Sequence, residues 1–336
     1  MRSGFLPNRI VHIHPTRLCN LACLHCYSES DPQQSAALDP TVLCNALDVL
    51  RAEGYSAISL SGGEPLAYPS LRPVVEQARA LGFRVTMITN GLLASERMYG
   101  VLSLLDGIAI SFDGLGPTHN ALRARPDAFQ RASAALERLS MQGFAVAAAV
   151  SLTRDAIPEL PDLVDHLVSL GARAIQIRPV ARAGRARTLA DTSFFDASDQ
   201  ARLYLVVLAL QQELGAEIRM HCDLAPAQGL WQQRDAYSGL LGCGTMLRHQ
   251  DRLLADVVNP LVITETGKLK PIAYDFAERF DIASLDELSS ARLRTYKQQH
   301  LGSLQTLVAG ALGKLQGRSG LVDWFDHCTR LSEIDD

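Results

Sequence analysis

Two rhythms of apolar and polar positions alternate along residues 10–190. Short β-type runs at Ile10–His14, Ala57–Ser61, Arg84–Thr89, Gly107–Phe112, Phe144–Ser151 and Ala174–Pro179 end in polar residues or glycine. Helix-type stretches lie between them. Thr41–Glu53 sets Val42, Leu43, Ala46, Leu47, Val49 and Leu50 at helical spacing and stops at Gly54. Leu71–Leu81, Phe129–Gln142 and Leu160–Leu170 stop likewise at Gly82, Gly143 and Gly171, as helices that feed strands commonly do. Six strands alternating with helices predict a parallel sheet with right-handed crossovers, either an open barrel or a doubly wound sheet. In both, ligands gather at the carboxyl ends of the strands.

The rhythm changes near residue 190. Ser198–Gly215 reads as one long helix with a broad apolar face, and Glu217–His221 as a short strand. Val257–Thr264 and Lys268–Ala273 read as a hairpin around Gly267, and Leu285–Thr295 and Leu304–Leu315 as helices. The expected division is a barrel over residues 1–192 and a smaller α+β region over 193–336. A chain of 336 residues with 7 cysteines needs no disulfide scaffold. Its 32 basic and 36 acidic residues argue against nucleic-acid binding through bulk charge. No apolar run approaches the ~20 residues of a membrane helix, and Met1–Ile10 lacks a secretory signal. The expectation is a soluble cytoplasmic protein, with no membrane or nucleic-acid partner.

The most distinctive chemistry follows the first strand. Cys19, Cys23 and Cys26 are spaced Cys-x3-Cys-x2-Cys on one loop. Thiolates this close select zinc or iron–sulfur chemistry. Structural zinc requires a fourth ligand, which would have to be His14, His25 or a distant cysteine. A four-iron cubane on three thiolates instead leaves one iron open.

The arrangement resembles the radical S-adenosylmethionine (SAM) superfamily through most of residues 10–190. The resemblance implies a partial (β/α)6 TIM-like barrel, with Cys19, Cys23 and Cys26 as ligands of one [4Fe–4S] cluster. His25 stands where the superfamily usually has an aromatic residue. Ser61-Gly62-Gly63-Glu64-Pro65 is similar to the segment that contacts the SAM amino group: glycine admits close backbone approach, Glu64 supplies an acceptor, and Pro65 can start a helix. Thr89-Asn90-Gly91 closes the third strand as the superfamily often does, although an ordinary Asn-Gly turn reads the same way. Ser111-Phe112-Asp113-Gly114 followed by His119 and Arg123 resembles the sulfatase-maturating and peptide-modifying branch. That likeness implies Ser111 and Arg123 on the SAM carboxylate, a group that guanidinium can pair bidentately; Asp113 either faces the ribose or caps the turn. Ser151 and Arg178-Pro179 end the next two strands, and Arg178 is expected near the SAM pocket. Five arginines between 173 and 187 form either an anion-attracting surface or a solvated rim.

Leu241–Gly244 and the hairpin at 262–271 resemble the start of the SPASM/twitch module, which carries auxiliary clusters. The cysteine expected after the hairpin is absent, because Ile272 stands there. Cys222, Cys243 and Cys328 are too few for two auxiliary clusters; one cluster, buried apolar thiols, or a hydrogen-atom donor to a substrate radical stay open for them. Cys44 lies on the apolar stripe of its helix.

The resemblance implies reductive cleavage of SAM to methionine and a 5′-deoxyadenosyl radical that abstracts hydrogen from a substrate C–H bond, with a flavodoxin or ferredoxin as electron donor. The first expected substrate is a ribosomally made peptide. The first strand starts near residue 10, leaving no room for a fused leader-binding domain, so a separate leader-binding protein is one implied partner. The alternatives are a small-molecule enzyme acting on a sugar, nucleoside or cofactor precursor, and a non-catalytic iron–sulfur or zinc protein.

Overall fold

A computed structural model describes residues 9–234 and 252–334. Its six leading strands fall where the alternation places them: β1 (Ile10–Ile13), β2 (Ala57–Leu60), β3 (Arg84–Thr89), β4 (Gly107–Phe112), β5 (Val146–Leu152) and β6 (Ala174–Pro179). Each pairs in parallel with the next. The connecting helices include α1 (Pro40–Ala52), α2 (Leu71–Ala80), α3 (Tyr99–Leu102), α4 (Gly116–Arg123), α5 (Ala128–Met141) and α6 (Leu160–Ser169). Asp39 caps α1 by accepting from the Thr41 and Val42 amides, which satisfies donors the first turn leaves unpaired. Pro117 lies in the first turn of α4, where the missing amide is no loss.

The result is an α/β partial barrel with helices outside. Burial alternates along β4 and β5. Ile108, Ile110 and Phe112, with Val146, Ala148, Val150 and Leu152, join the core shared with helix residues such as Ala132 and Leu136. The inner face carries Gly107, Ala109 and Ser111 beside Ala147, Ala149 and Ser151. These small side chains leave room inside the barrel.

The sheet continues past residue 192. Helix α7 (Ala197–Leu214) leads to β7 (Arg219–Cys222), which adds in parallel to β6. After β8 (Leu224–Pro226) and α8 (Ala227–Gln232), β9 (Leu261–Ile263) pairs in parallel with β1 on the far edge. The expected hairpin is β9 with β10 (Lys268–Pro271), and β11 (Ala283–Ser284) extends it. The order β11-β10-β9-β1-β2-β3-β4-β5-β6-β7 therefore puts residues from beyond 192 on both edges of one sheet. A separate ribbon pairs β8 with β12 (Leu321–Asp323). Among the described residues no helix is long and apolar enough to cross a membrane.

Lys297 in the helix at 290–299 reaches Glu53 at the end of α1, with Nζ to Oε2 at 3.0 Å; the two side chains are only 7% and 11% exposed. Glu53 also accepts from the Leu254 amide, and Lys297 donates to the Arg252 carbonyl. This pair ties the far region to the barrel's first helix. Lys297→Ala strands a buried carboxylate and should cost about 3 kcal/mol in urea unfolding. A second change, Glu53→Gln, should restore part of that loss in a double-mutant cycle.

Candidate active site

The loop after β1 is held by backbone pairing at both ends. Thr16 bridges to Ala37 and Leu18 to Asp31, and the Leu24 amide donates to the Leu122 carbonyl of α4 at 2.8 Å. Cys19 and Cys23 are buried with Leu21 and Leu92, and Cys26 packs against them. Burial pushes the Cys19 thiol up to about 12, with the Glu64 charge adding to it, and the Cys23 thiol up to about 11. The thiols thus stay protonated until a metal's charge displaces the protons. Among the described residues no three His, Cys, Asp or Glu side chains converge on a point that could hold a single metal ion. A cubane presents a separate iron to each thiolate and needs no such convergence. Three soft donors in an apolar shell fit it.

The turn after β2 braces this loop. Gly63 and Glu64 amides donate to the Thr16 and Leu18 carbonyls at 3.0 and 2.9 Å. A Cβ on Gly63 would meet the Leu18 oxygen at 2.4 Å and the Thr16 oxygen at 2.8 Å, and Gly62 packs on His14 with φ of 95°. Glu64 is 1% exposed. Its carboxylate accepts from the Leu66 amide, the Thr89 hydroxyl and the Asn90 amide at 3.0, 2.7 and 2.9 Å, while Pro65 begins a short 3-10 turn. Burial raises its pKa, opposed by these bonds. Asn90 extends to Asn20 at 2.7 Å and to the Cys19 sulfur at 3.8 Å. One carboxylate therefore joins the ends of β2 and β3 beneath the cysteine loop.

A second buried carboxylate organises the end of β4. Burial opposes ionisation of Asp113, but Arg123 and His25 outweigh it and hold the carboxyl far below its ordinary range. Arg123 engages it through Nε and through Nη2, the latter at 3.0 Å. His25 Nε2 lies 3.1 Å away, and the Asp113 amide donates to His119 Nδ1 at 3.2 Å. Asp113 anchors Arg123 and ties α4 to the cysteine loop through His25. The Arg123 fork that was expected on a ligand carboxylate is here turned onto Asp113.

Ser111 and Ser151 face the inner surface, where Ser111 is paired in register with Ala149 and Ser151 with Arg178. The β1 side of that surface is filled. His14 stacks on Tyr274 with ring centroids 4.8 Å apart, and its Nε2 lies 3.2 Å from the Tyr27 hydroxyl. Tyr274 donates to Glu265 at 2.9 Å. Burial, with neighbouring His12 adding to it, pushes His14 down to about 3. Burial likewise pushes His119 down to about 4, against the pull of Asp113. Ile272, where a cysteine was looked for, is buried in the left-handed region with φ of 67°, a conformation that costs a β-branched residue about 1–3 kcal/mol.

Cys222 and Cys328 do not line the inner surface. Cys222 pairs with Ile177 on the helix-facing side, and Cys328 is fully buried in the main core. Side-chain parity on an edge strand and a terminal helix decided this, and neither is readable from cysteine spacing. Cys243 lies outside the described residues. Sequence reasoning missed Arg185. Its Nε donates to the Cys23 carbonyl at 2.9 Å, its Nη2 to the Ser30 carbonyl, and its amide to the Cys26 carbonyl at 3.0 Å. Gly184 beside it has φ of 49°, and a Cβ there would lie 2.2 Å from the Tyr27 oxygen. The Gly-Arg pair in the run 181–187 was the available signal.

Three cysteines on one loop thus gather at the strand ends of an open α/β barrel. Residues 13–169 match the radical SAM superfamily. The chain is 28% identical over 173 residues to the sporulation killing factor maturation protein SkfB of Bacillus subtilis, covering 51% of this chain and 42% of SkfB. It is 35% identical over 132 residues to GTP 3′,8-cyclase of Chlorobaculum tepidum, covering 38% and 40%. The chain thus spans less than half the length of either relative. Its fold is similar to Streptococcus suis SuiB bound to SAM, with TM-score 0.66 and 14% identity over 89% of this chain and 68% of SuiB. SuiB has also been solved with its precursor peptide SuiA.

Gly63→Ala must force the β2 turn away from two carbonyls, and Arg185→Gln removes the side-chain stitch across the loop. Both variants should bind much less iron than wild type on anaerobic reconstitution, measured by iron assay. Below the ordinary histidine pKa near 6.5, the unfolded chain takes up protons that folded His14 and His119 refuse. Stability to urea should therefore fall as pH drops from about 6.5 toward 4, with a shallower slope in His14→Gln. Asp113 acts in a lower window: its depressed pKa keeps its contribution down to about pH 4, and that is lost below.

Proposed function

We propose that this chain is a radical SAM enzyme in which Cys19, Cys23 and Cys26 hold one [4Fe–4S] cluster with an open iron. The single observation that carries the reading is the hydrogen-bonded seam between Gly63-Glu64 and the cysteine loop, which brings the thiols and the end of β2 into one site. When bound, the cluster supplies the electron that cleaves the SAM sulfonium, releasing a 5′-deoxyadenosyl radical able to take hydrogen from a C–H bond. The chain's own residues position and enclose. Gly62, Gly63, Glu64 and Pro65 present a closely approachable backbone edge to the SAM amino group, and Asn90 braces it from β3. Ser111 and Ser151 supply hydroxyls on the inner face. Arg123, oriented by Asp113, offers charge to the SAM carboxylate, while Tyr27, His14 and Tyr274 close the β1 side against water.

The substrate we favour is a ribosomally made peptide, so that the chain acts as a maturase. SkfB is by name a maturation protein, and SuiB has a precursor peptide. A flavodoxin or ferredoxin supplies the electron in the cytoplasm, and a separate protein can present the leader. A small-molecule substrate is the second reading, favoured by the likeness to GTP 3′,8-cyclase. Ile272 in place of a cysteine supports a chain without an auxiliary cluster on its hairpin.

Anaerobic reconstitution should yield about four irons per chain, and dithionite with SAM should yield 5′-deoxyadenosine. Cys23→Ala should abolish both. A wild-type protein that binds the iron yet forms no 5′-deoxyadenosine would favour a non-catalytic iron–sulfur protein.

A further inference from the structure

Ser111, Ala149, Gln176 and His221 stand side by side across β4 to β7, each paired in register with the next. Residues so paired share a face of the sheet. Gln176 and His221 therefore look onto the same inner surface as Ser111, at about 14 Å along the sheet for His221, or three strand spacings. Arg178 does so as well, beside Ser151.

Asp223, next after β7, ties these side chains together. It accepts from Gln176 Nε2 at 3.0 and 3.2 Å, and it lies 3.3 Å from His221 Nε2 and 3.9 Å from Arg178 Nε. The carboxylate is 11% exposed, whereas His221 is 74% and Arg178 48% exposed. A buried acid thus faces a guanidinium and an imidazole whose pKa it raises. Once protonated, the His221 ring has Nδ1 as an outer donor beside the Arg178 Nη atoms; no hydrogen bond among the described residues takes up either. Asp323 couples with Asp223 and Arg178; burial pushes its carboxyl up to about 6, while its Oδ1 caps the helix at 324–332 through the Phe325 and Asp326 amides at 3.0 and 3.1 Å. The neighbouring cleft of about 260 Å³, lined in part by Arg154, Arg182 and Arg330, differs in this respect. Its arginines are matched by Asp199, Asp191 and Asp326.

The geometry points to an anion-binding subsite at the β6–β7 side of the inner surface, where Arg178 and His221 grip a carboxylate or phosphate of the substrate. Asp223 and Gln176 are its positioning residues. Guanidinium and imidazolium suit such a group because each offers directed N–H donors with charge. The inference rests on the proposed reading in taking the ligand as the partner of SAM in one chamber, and it moves Arg178 from the SAM pocket to the substrate's side.

The test is calorimetric titration of the reconstituted holoprotein, with SAM present, using inorganic phosphate and separately acetate. Wild type should bind at least one of them saturably, and His221→Ala and Arg178→Gln should each weaken that binding at least tenfold. His221 is largely exposed, so its removal leaves folding intact, as an unchanged thermal midpoint would verify. Asp223→Asn should also weaken binding although it removes a negative charge. Tighter binding there would refute the positioning role. Preference for phosphate indicates a phosphorylated small molecule; preference for acetate indicates an acidic group of a peptide. No binding of either anion, or equal affinity in the His221 and Arg178 variants, overturns the subsite. Formation of 5′-deoxyadenosine by wild type without either anion reports on the radical reading alone, so the two can fail separately.

Discussion

The architecture of the site depends on two backbones being able to touch. Gly63 and Glu64 donate to Thr16 and Leu18, and the space between the β2 turn and the cysteine loop is too small for any side chain at position 63. That contact sets the height of the cysteine loop above the sheet. It also brings the Glu64 carboxylate under the loop, where it can reach Thr89 and Asn90 at the end of β3. A second close approach, of Gly184 to the Cys26–Tyr27 peptide, fixes the same loop from the β6 side. Backbone hydrogen bonds are directional and cannot be left unmade in a buried place without a penalty of about 1–3 kcal/mol, so the loop has little freedom to drift.

Buried charge supplies the other half of the order. Glu64 and Asp113 are both nearly inaccessible, yet they are satisfied differently. Glu64 is surrounded by neutral donors and its pKa rises with burial. Asp113 faces Arg123 and His25 and stays ionised. The first is a structural knot that joins strand ends; the second is a charged hub that aims a guanidinium toward the thiols. Between them, the inner faces of β4 and β5 carry only Gly, Ala and Ser side chains.

The segment beyond residue 192 takes part in the barrel as well as extending it. β9 pairs with β1, which carries the cysteine loop at its end, and the residues after β10 bring Tyr274 onto His14. Ile272 is held in a left-handed conformation two residues earlier. The hairpin of this chain thus contributes an aromatic wall to the inner surface, and an aliphatic side chain fills the position where the SPASM/twitch resemblance called for a thiolate.

Much of this was legible in the order of residues. Strand alternation and glycine-terminated helices located β1 to β6 because burial of one face imposes a period of two, or of 3.6, on the chain itself. The close approach at Gly62 and Gly63 was legible too, because a backbone contact with no room for a Cβ demands glycine at that position. The partners of Asp113, the stitching by Arg185, the outward turn of Cys222 and the joining of His221 to Asp223 and Gln176 were not legible. These depend on which strands become neighbours and in what register, and that is settled only when distant segments compete for the same sheet edge. Local sequence determined the elements and the donor set; tertiary pairing decided what each charged side chain faces, because electrostatic and hydrogen-bond energies depend on distances that the linear chain does not contain.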